Sequence, residues 1–186
     1  MVTTTDTTTI VTAPRHVAAD RGSFKRWLKH FCFMPATKRY FSVPDQHAIA
    51  QAVTHAERGH VGEIQVVIEG HLPCSQAYSQ TVRMRARELF AELGVWDTEF
   101  NSGTLLYLNL CEQQVEIVID RGLEKATEQA VWDGICLQLT AQMQQQNYRE
   151  AVVEAVMAIG QVLDAFYGQN HPDQANELSN RPILLD

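Results

Sequence analysis

The sequence predicts an α/β fold, an α/β/α sandwich in which a small mixed β-sheet is flanked by helices. Three observations carry that expectation. Apolar runs of strand length occur at residues 63–69 (EIQVVIE), 103–110 (GTLLYLNL) and 115–119 (VEIVI). Segments with helical spacing of apolar residues precede, separate and follow them. Between the second and third runs lie only four residues, 111–114, polar enough to turn the chain back as a hairpin.

Taken in order, residues 1–21 are polar and Thr-rich and read as a disordered tail. Residues 22–41 form a basic amphipathic segment: Ser23 suits a helix N-cap, and Phe24, Trp27, Leu28 and Phe31 recur at i, i+3, i+4, i+7. Lys25, Arg26, Lys29 and His30 fill the other face. Such a stripe is expected to pack on its own domain. The alternative is peripheral contact with an anionic membrane, through Phe24, Trp27, Lys25, Arg26 and Lys29, or with an unidentified protein partner.

The main domain is expected over residues 42–167. Pro44 opens a helix to about Arg58 with Ile49, Ala52, Val53 and Ala56 inward. A strand follows at 63–69, then a loop, then one long helix over about 76–93 that ends at Gly94. After the hairpin, helices over 127–144 and 148–167 carry the stripes Ile135, Leu139, Met143 and Val152, Val156, Ile159, Leu163. Residues 168–186 read as a C-terminal tail. The passage from strand to helix to strand implies a right-handed crossover with parallel pairing, which sets Glu63 beside Gly103.

Composition narrows the function. Of the 186 residues, 45% are hydrophobic and 20% charged, an ordinary globular balance. Up to Phe41 there are seven Lys or Arg against two Asp or Glu, and beyond it eight against twenty. The acidic body disfavours nucleic acid. Cys32, Cys74, Cys111 and Cys136 form no CxxC pair, which fits reduced thiols better than a zinc site. No apolar run reaches eighteen residues, and the N-terminus lacks the charged and apolar regions of a signal peptide, so a cytoplasmic location is expected. His60, in the turn before the first strand, suits a capping role, and Trp96 reads as an anchor over the core. The histidines show neither HxH nor HExxH spacing, and Gly70-His71-Leu72-Pro73 is no dinucleotide fingerprint.

The hairpin also defines a candidate site. It brings Asp97 and Asn101, before its first strand, towards Asp120 and Arg121 at the end of its second; the parallel crossover adds Glu63. Asp97, Asn101, Asp120 and Glu63 form an oxygen-rich set that suits calcium or magnesium. An EF-hand is excluded, because Ser102 and Leu108 stand where that loop needs Gly and Glu. Arg121 suits a phosphoryl group and, with Asp97, is the candidate for catalysis. The same residues also suit a structural role, as Asx turns and a local ion pair.

Asp97, Asn101, Gly103, the strands LLYLNL and VEIVID, and Gly122-Leu123-Glu124 together resemble the TPM-domain family, which includes thylakoid-lumen and photosystem-repair proteins. The ending NELSNRP is similar to that of its soluble bacterial branch. The resemblance implies two functions. One is an accessory or interaction module that binds a divalent cation; the alternative is a metal-dependent phosphatase acting on phosphate monoesters. No Asp-x-Asp signature of aspartyl phosphatases is present.

Overall fold

The computed structural model describes residues 8–10, 24–33, 37–123, 128–168 and 176–186. Its centre is the pair predicted to be parallel, β2 (Glu63–Glu69) and β3 (Gly103–Asn109), with Glu63 opposite Gly103. A hairpin leads from β3 into β4 (Gln114–Asp120), paired antiparallel with Thr104 opposite Ile119. Gln113, at φ 53°, takes the left-handed conformation that closes the turn.

Two further strands extend the sheet where tails were expected. Within residues 1–21, Thr8–Ile10 forms β1, antiparallel to β4 with Thr8 opposite Asp120; the rest of that segment lies outside the described residues. Within residues 168–186, Ile183–Leu185 forms β5, parallel to β2 with Val67 opposite Ile183. The order is β1-β4-β3-β2-β5. Three-residue strands carry too little periodicity to be read from sequence. The open edges of β4 and β2 recruit them, because unpaired ladder groups there would otherwise be left without partners.

After the short helix α2 (Thr37–Tyr40), helices α3 (Val43–Ala56), α6 (Gln129–Gln144) and α7 (Tyr148–Tyr167) cover one face, and α5 (Val82–Glu92) covers the other. The predicted stripes are the buried ones: Ile49, Val53, Leu139, Val152, Val156, Ile159 and Leu163 are at most 1% exposed. A capping box starts α3, in which the Ser42 and Asp45 side chains each accept the other's backbone N–H. The single helix expected over 76–93 is instead two, α4 (Cys74–Ala77) and α5. Thr81 separates them: its Oγ1 accepts the Met84 N–H at 3.1 Å, an N-cap that begins a new helix.

The N-terminal helix α1 (Phe24–Cys32) docks with the face opposite to the one expected. Its apolar stripe looks outward, and its polar face anchors on Glu112 in the β3–β4 turn. Arg26 Nε and His30 Nε2 reach Glu112 Oε1 at 3.0 and 2.6 Å, and Lys29 Nζ reaches Oε2 at 3.4 Å. His30 is fully buried, and its Nδ1 accepts the Leu72 N–H at 3.1 Å, so Nε2 carries the proton donated to Glu112. Arg26 Nη1 also donates to the Gln80 carbonyl at 2.6 Å. The reason for the reversal is energetic. One carboxylate gathers three donors, two of which, Arg26 and His30, it holds away from water, and such charge-assisted bonds outweigh the area a nine-residue stripe offers.

Burial alone would push the Glu112 carboxyl up, but the His30 hydrogen bond and the Lys29 and Arg26 charges hold it down at about 2, from an ordinary 4.5. A folded value below the unfolded one stabilises the protein above the unfolded pKa, and the gain is lost as pH falls through the folded pKa. Acid titration of stability is therefore expected to show a loss of roughly 2–3 kcal/mol between about pH 5 and 2 that Glu112→Gln abolishes. Superimposable pH profiles for the two proteins would remove Glu112 as the anchor.

Candidate functional site

The loop of residues 94–102 links α5 to β3 and carries two of the predicted residues, Asp97 and Asn101. Local bonds shape it. Asp97 N–H donates to the Gly94 carbonyl at 2.9 Å, and Asn101 N–H to the Thr98 carbonyl at 3.1 Å. Ser102 is pinned twice: its N–H donates to Thr98 Oγ1 at 2.9 Å and its hydroxyl to the Val61 carbonyl at 2.6 Å. Asn101, at φ 53°, adopts the left-handed conformation that Asn tolerates better than most residues.

That turn aims Asn101 at the end of β4. The Asn101 Oδ1 accepts Arg121 Nε at 2.8 Å, and its carbonyl accepts the Gly122 N–H at 3.2 Å. Gly122 is required by close approach, since a Cβ there would overlap the Asn101 carbonyl and come within 2.8 Å of the Tyr167 hydroxyl. Asp120 is 1% exposed; its Oδ1 accepts the Arg121 N–H at 2.7 Å, while its Oδ2 has no hydrogen-bond partner among the described residues. Burial pushes the Asp120 carboxyl above the ordinary carboxylate range, against the opposing N–H and charge of Arg121. Burial, with the Asp120 charge nearby, also pushes the Tyr167 phenol up to about 12. Tyr167 was not predicted here, because nothing local in a helix-ending aromatic points to a strand twenty or more positions upstream.

The predicted set is thus partly assembled. Asn101, Asp120 and Arg121 form one hydrogen-bonded group, as the hairpin argument implied. Asp97 is exposed on the loop beside them in sequence, with Trp96, 50% exposed, next to it rather than sealing the core. Glu63 starts β2 at the same end of the sheet, opposite Gly103, but its carboxylate is engaged by another segment. Its Oε1 and Oε2 accept the backbone N–H groups of Glu177 and Leu178 at 3.1 and 3.3 Å, so it ties down the segment that leads into β5. The Val95 carbonyl also passes close over Gly103, the residue opposite Glu63. Glu99 is exposed and its N–H meets the Glu177 carboxylate at 3.2 Å; Glu124 lies outside the described residues. Among the described residues no three His, Cys, Asp or Glu side chains gather as a metal cage. His60 is a cap: buried, with Nε2 2.8 Å from the Ala56 carbonyl and Nδ1 accepting the Gly62 N–H at 3.0 Å.

A second polar cluster, at the other end of β2 and β3, escaped the sequence reading. Arg85 Nε meets Glu69 Oε1 at 3.1 Å, the Tyr107 hydroxyl donates to Glu69 Oε2, and Asn109 Nδ2 donates to the Tyr107 oxygen at 3.2 Å. The signal was there in principle: Glu69, Tyr107 and Asn109 are polar residues at the C-terminal ends of two largely apolar strands, on the α5 face. These side chains bond to one another, which suits a structural network.

A two-layered helix cover over a mixed sheet, with a loop-built oxygen group at one end, defines an α/β/α domain of the kind the residues suggested. The chain belongs to the TPM domain family, whose model matches residues 37–162. Two solved structures are similar. One is the NMR structure of the BA42 protein from the psychrophilic bacterium Bizionia argentinensis, 23% identical, TM-score 0.66, covering 77% of this chain and 94% of that one. The other is the N-terminal domain of a protein from P. gingivalis, 22% identical, TM-score 0.59, covering 74% and 83%. These establish likeness of fold. No curated protein matches the chain. Among the described residues no helix is long and apolar enough to cross a membrane.

Proposed function

We propose that this TPM domain is an accessory binding module, and that the group around Asp120 takes a divalent cation, calcium or magnesium. The observation that carries the reading is the Asp120 carboxylate, 1% exposed, with one oxygen unbonded among the described residues. A buried carboxylate oxygen without a donor is costly until a proton or a cation meets it. Asp97 from the same loop, and the Asn101 amide oxygen on release from Arg121, would supply the further oxygens such an ion prefers. Glu63 is left out of the set because two backbone N–H groups already occupy it. The ion would supply charge neutralisation, and Asn101 and Arg121 would orient the loop around it. The four cysteines are free, Cys111 and Cys136 buried, which suits a reducing compartment and keeps the cytoplasmic reading.

The raised Asp120 carboxyl fixes the sign of the test. A carboxyl whose folded pKa exceeds its unfolded one stabilises most when protonated, and that stability is lost as pH rises through the folded value. At neutral pH, Asp120→Asn is therefore expected to leave the ion-free protein as stable or slightly more so. Calcium or magnesium at a hundredfold excess over Kd is expected to stabilise the wild type by about 2.7 kcal/mol and the variant not at all. A wild type whose melting temperature ignores both ions removes the reading. The alternative, a metal-dependent phosphatase with Asp97 and Arg121 in catalysis, rests on the exposed Arg121 guanidinium one residue from Asp120. Turnover of a phosphate monoester by the same samples, lost in Arg121→Ala, would replace the accessory reading with it.

A further inference from the structure

We infer that the outward face of α1 is a docking surface for an anionic phospholipid membrane. Phe24, Trp27 and Phe31 stack in a ladder along it, with ring centroids 5.5 and 5.2 Å apart. Phe24 is 67% exposed, Leu28 44% and Phe31 58%. Three large apolar side chains on one short helix are more than the scattered exposure of an ordinary surface. Their orientation is enforced, since Arg26 and His30 hold the opposite side of the helix on Glu112, the Gln80 carbonyl and the Leu72 N–H. Rotating the stripe inward would break every one of these bonds.

Charge identifies the occupant. From Arg21 to Pro44 the sequence holds six Lys or Arg and no Asp or Glu, whereas the rest of the chain is strongly acidic. Helical spacing puts Lys25 and Lys29 along one border of the aromatic face; Lys25 is exposed, and Lys29, its side chain 49% exposed, also reaches Glu112 at 3.4 Å, which leaves Lys25 as the main headgroup contact. Aromatic rings bordered by lysines match the boundary between acyl chains and anionic headgroups: the rings enter the interface and the ammonium groups meet phosphate. A second copy of this chain is a poorer occupant, because pairing two α1 faces would set these cations against themselves. Arg26, counted as a membrane contact from sequence, is turned inward to Glu112 and takes no part.

The test is sedimentation of the full chain with vesicles of pure phosphatidylcholine and of phosphatidylcholine with 30% phosphatidylglycerol. The wild type is expected to bind the anionic vesicles, and about 0.5 M NaCl is expected to weaken that binding strongly. Phe24→Ser with Phe31→Ser is expected to reduce the partition by about tenfold or more. Lys25→Glu should reduce it less, and Leu137→Ser, an exposed apolar residue on α6, should leave it unchanged. The replaced side chains are exposed, so melting temperatures should stay at the wild-type value, separating lost binding from lost folding. Failure of the wild type to bind anionic vesicles, equal binding to both compositions, or full binding by the double Phe variant each overturns the inference. A concentration-dependent dimer that the double Phe variant abolishes, without vesicle binding, would assign the face to a second copy instead.

Discussion

Arg85→Ala is expected to cost about 3–5 kcal/mol of global stability, the largest loss from any single polar residue here. Glu69 is 2% exposed, and Arg85 is the cation that neutralises it, with Nε at 3.1 Å. Arg85 also holds Glu88 at 2.8 Å and Glu92 at 3.5 Å, which locks it to its own helix. Truncation leaves the Glu69 charge buried and hydrogen-bonded to little besides the Tyr107 hydroxyl, whose own pKa burial and the Glu69 charge already push up. Removing both charges is the informative control. Glu69→Leu with Arg85→Met replaces the pair by apolar volume, and such exchanges are often neutral, so the double variant should recover most of the loss. Urea midpoints with unchanged m-values measure both. A loss below about 1 kcal/mol for Arg85→Ala would mean that water reaches Glu69 and that the network carries little.

Gly103→Ala is expected to cost about 3 kcal/mol and to displace the loop that carries Asp97 and Asn101. A Cβ at residue 103 would be driven into the Val95 carbonyl, with Val95 Cγ1 at 3.1 Å on the same side. A backbone carbonyl is no flexible chain end, and Val95 is held by its own N–H to the Phe90 carbonyl at 3.1 Å, so the strain must move the loop. Gly134→Ala gives the contrast. A Cβ there meets nothing within 4 Å, and its position inside α6 predicts a gain of about 0.5–1 kcal/mol. Thermal unfolding of the two variants, with amide exchange across residues 94–102, tests the pair. Unchanged exchange in that loop for Gly103→Ala would show that the crossing over Gly103 does not position it.

Features that depend on neighbours a few positions away could be read from the chain alone. Helical stripes such as Val152, Val156, Ile159 and Leu163 are buried as their spacing demands, and the hairpin follows from a short polar turn between two apolar runs. Even the pairing of Glu63 with Gly103 was legible, because the crossover implies parallel strands and two runs of equal length then start side by side. Part of the site was legible for the same reason: a hairpin must return Asp120 and Arg121 to the residues that precede it. The rest turned on long-range contacts that form only in the completed fold. Which side of α1 faces the domain turned on Glu112, eighty-two positions from His30, and three-residue strands at each end of the chain form only because an open edge awaits them. Glu63 is engaged by the segment before β5, more than a hundred residues later, which offers it two backbone N–H groups. Local propensity and periodicity are properties of a few turns of chain. The partner of a buried charge is chosen by whichever donor the completed fold brings within about 3 Å of it, and that choice has no local signature.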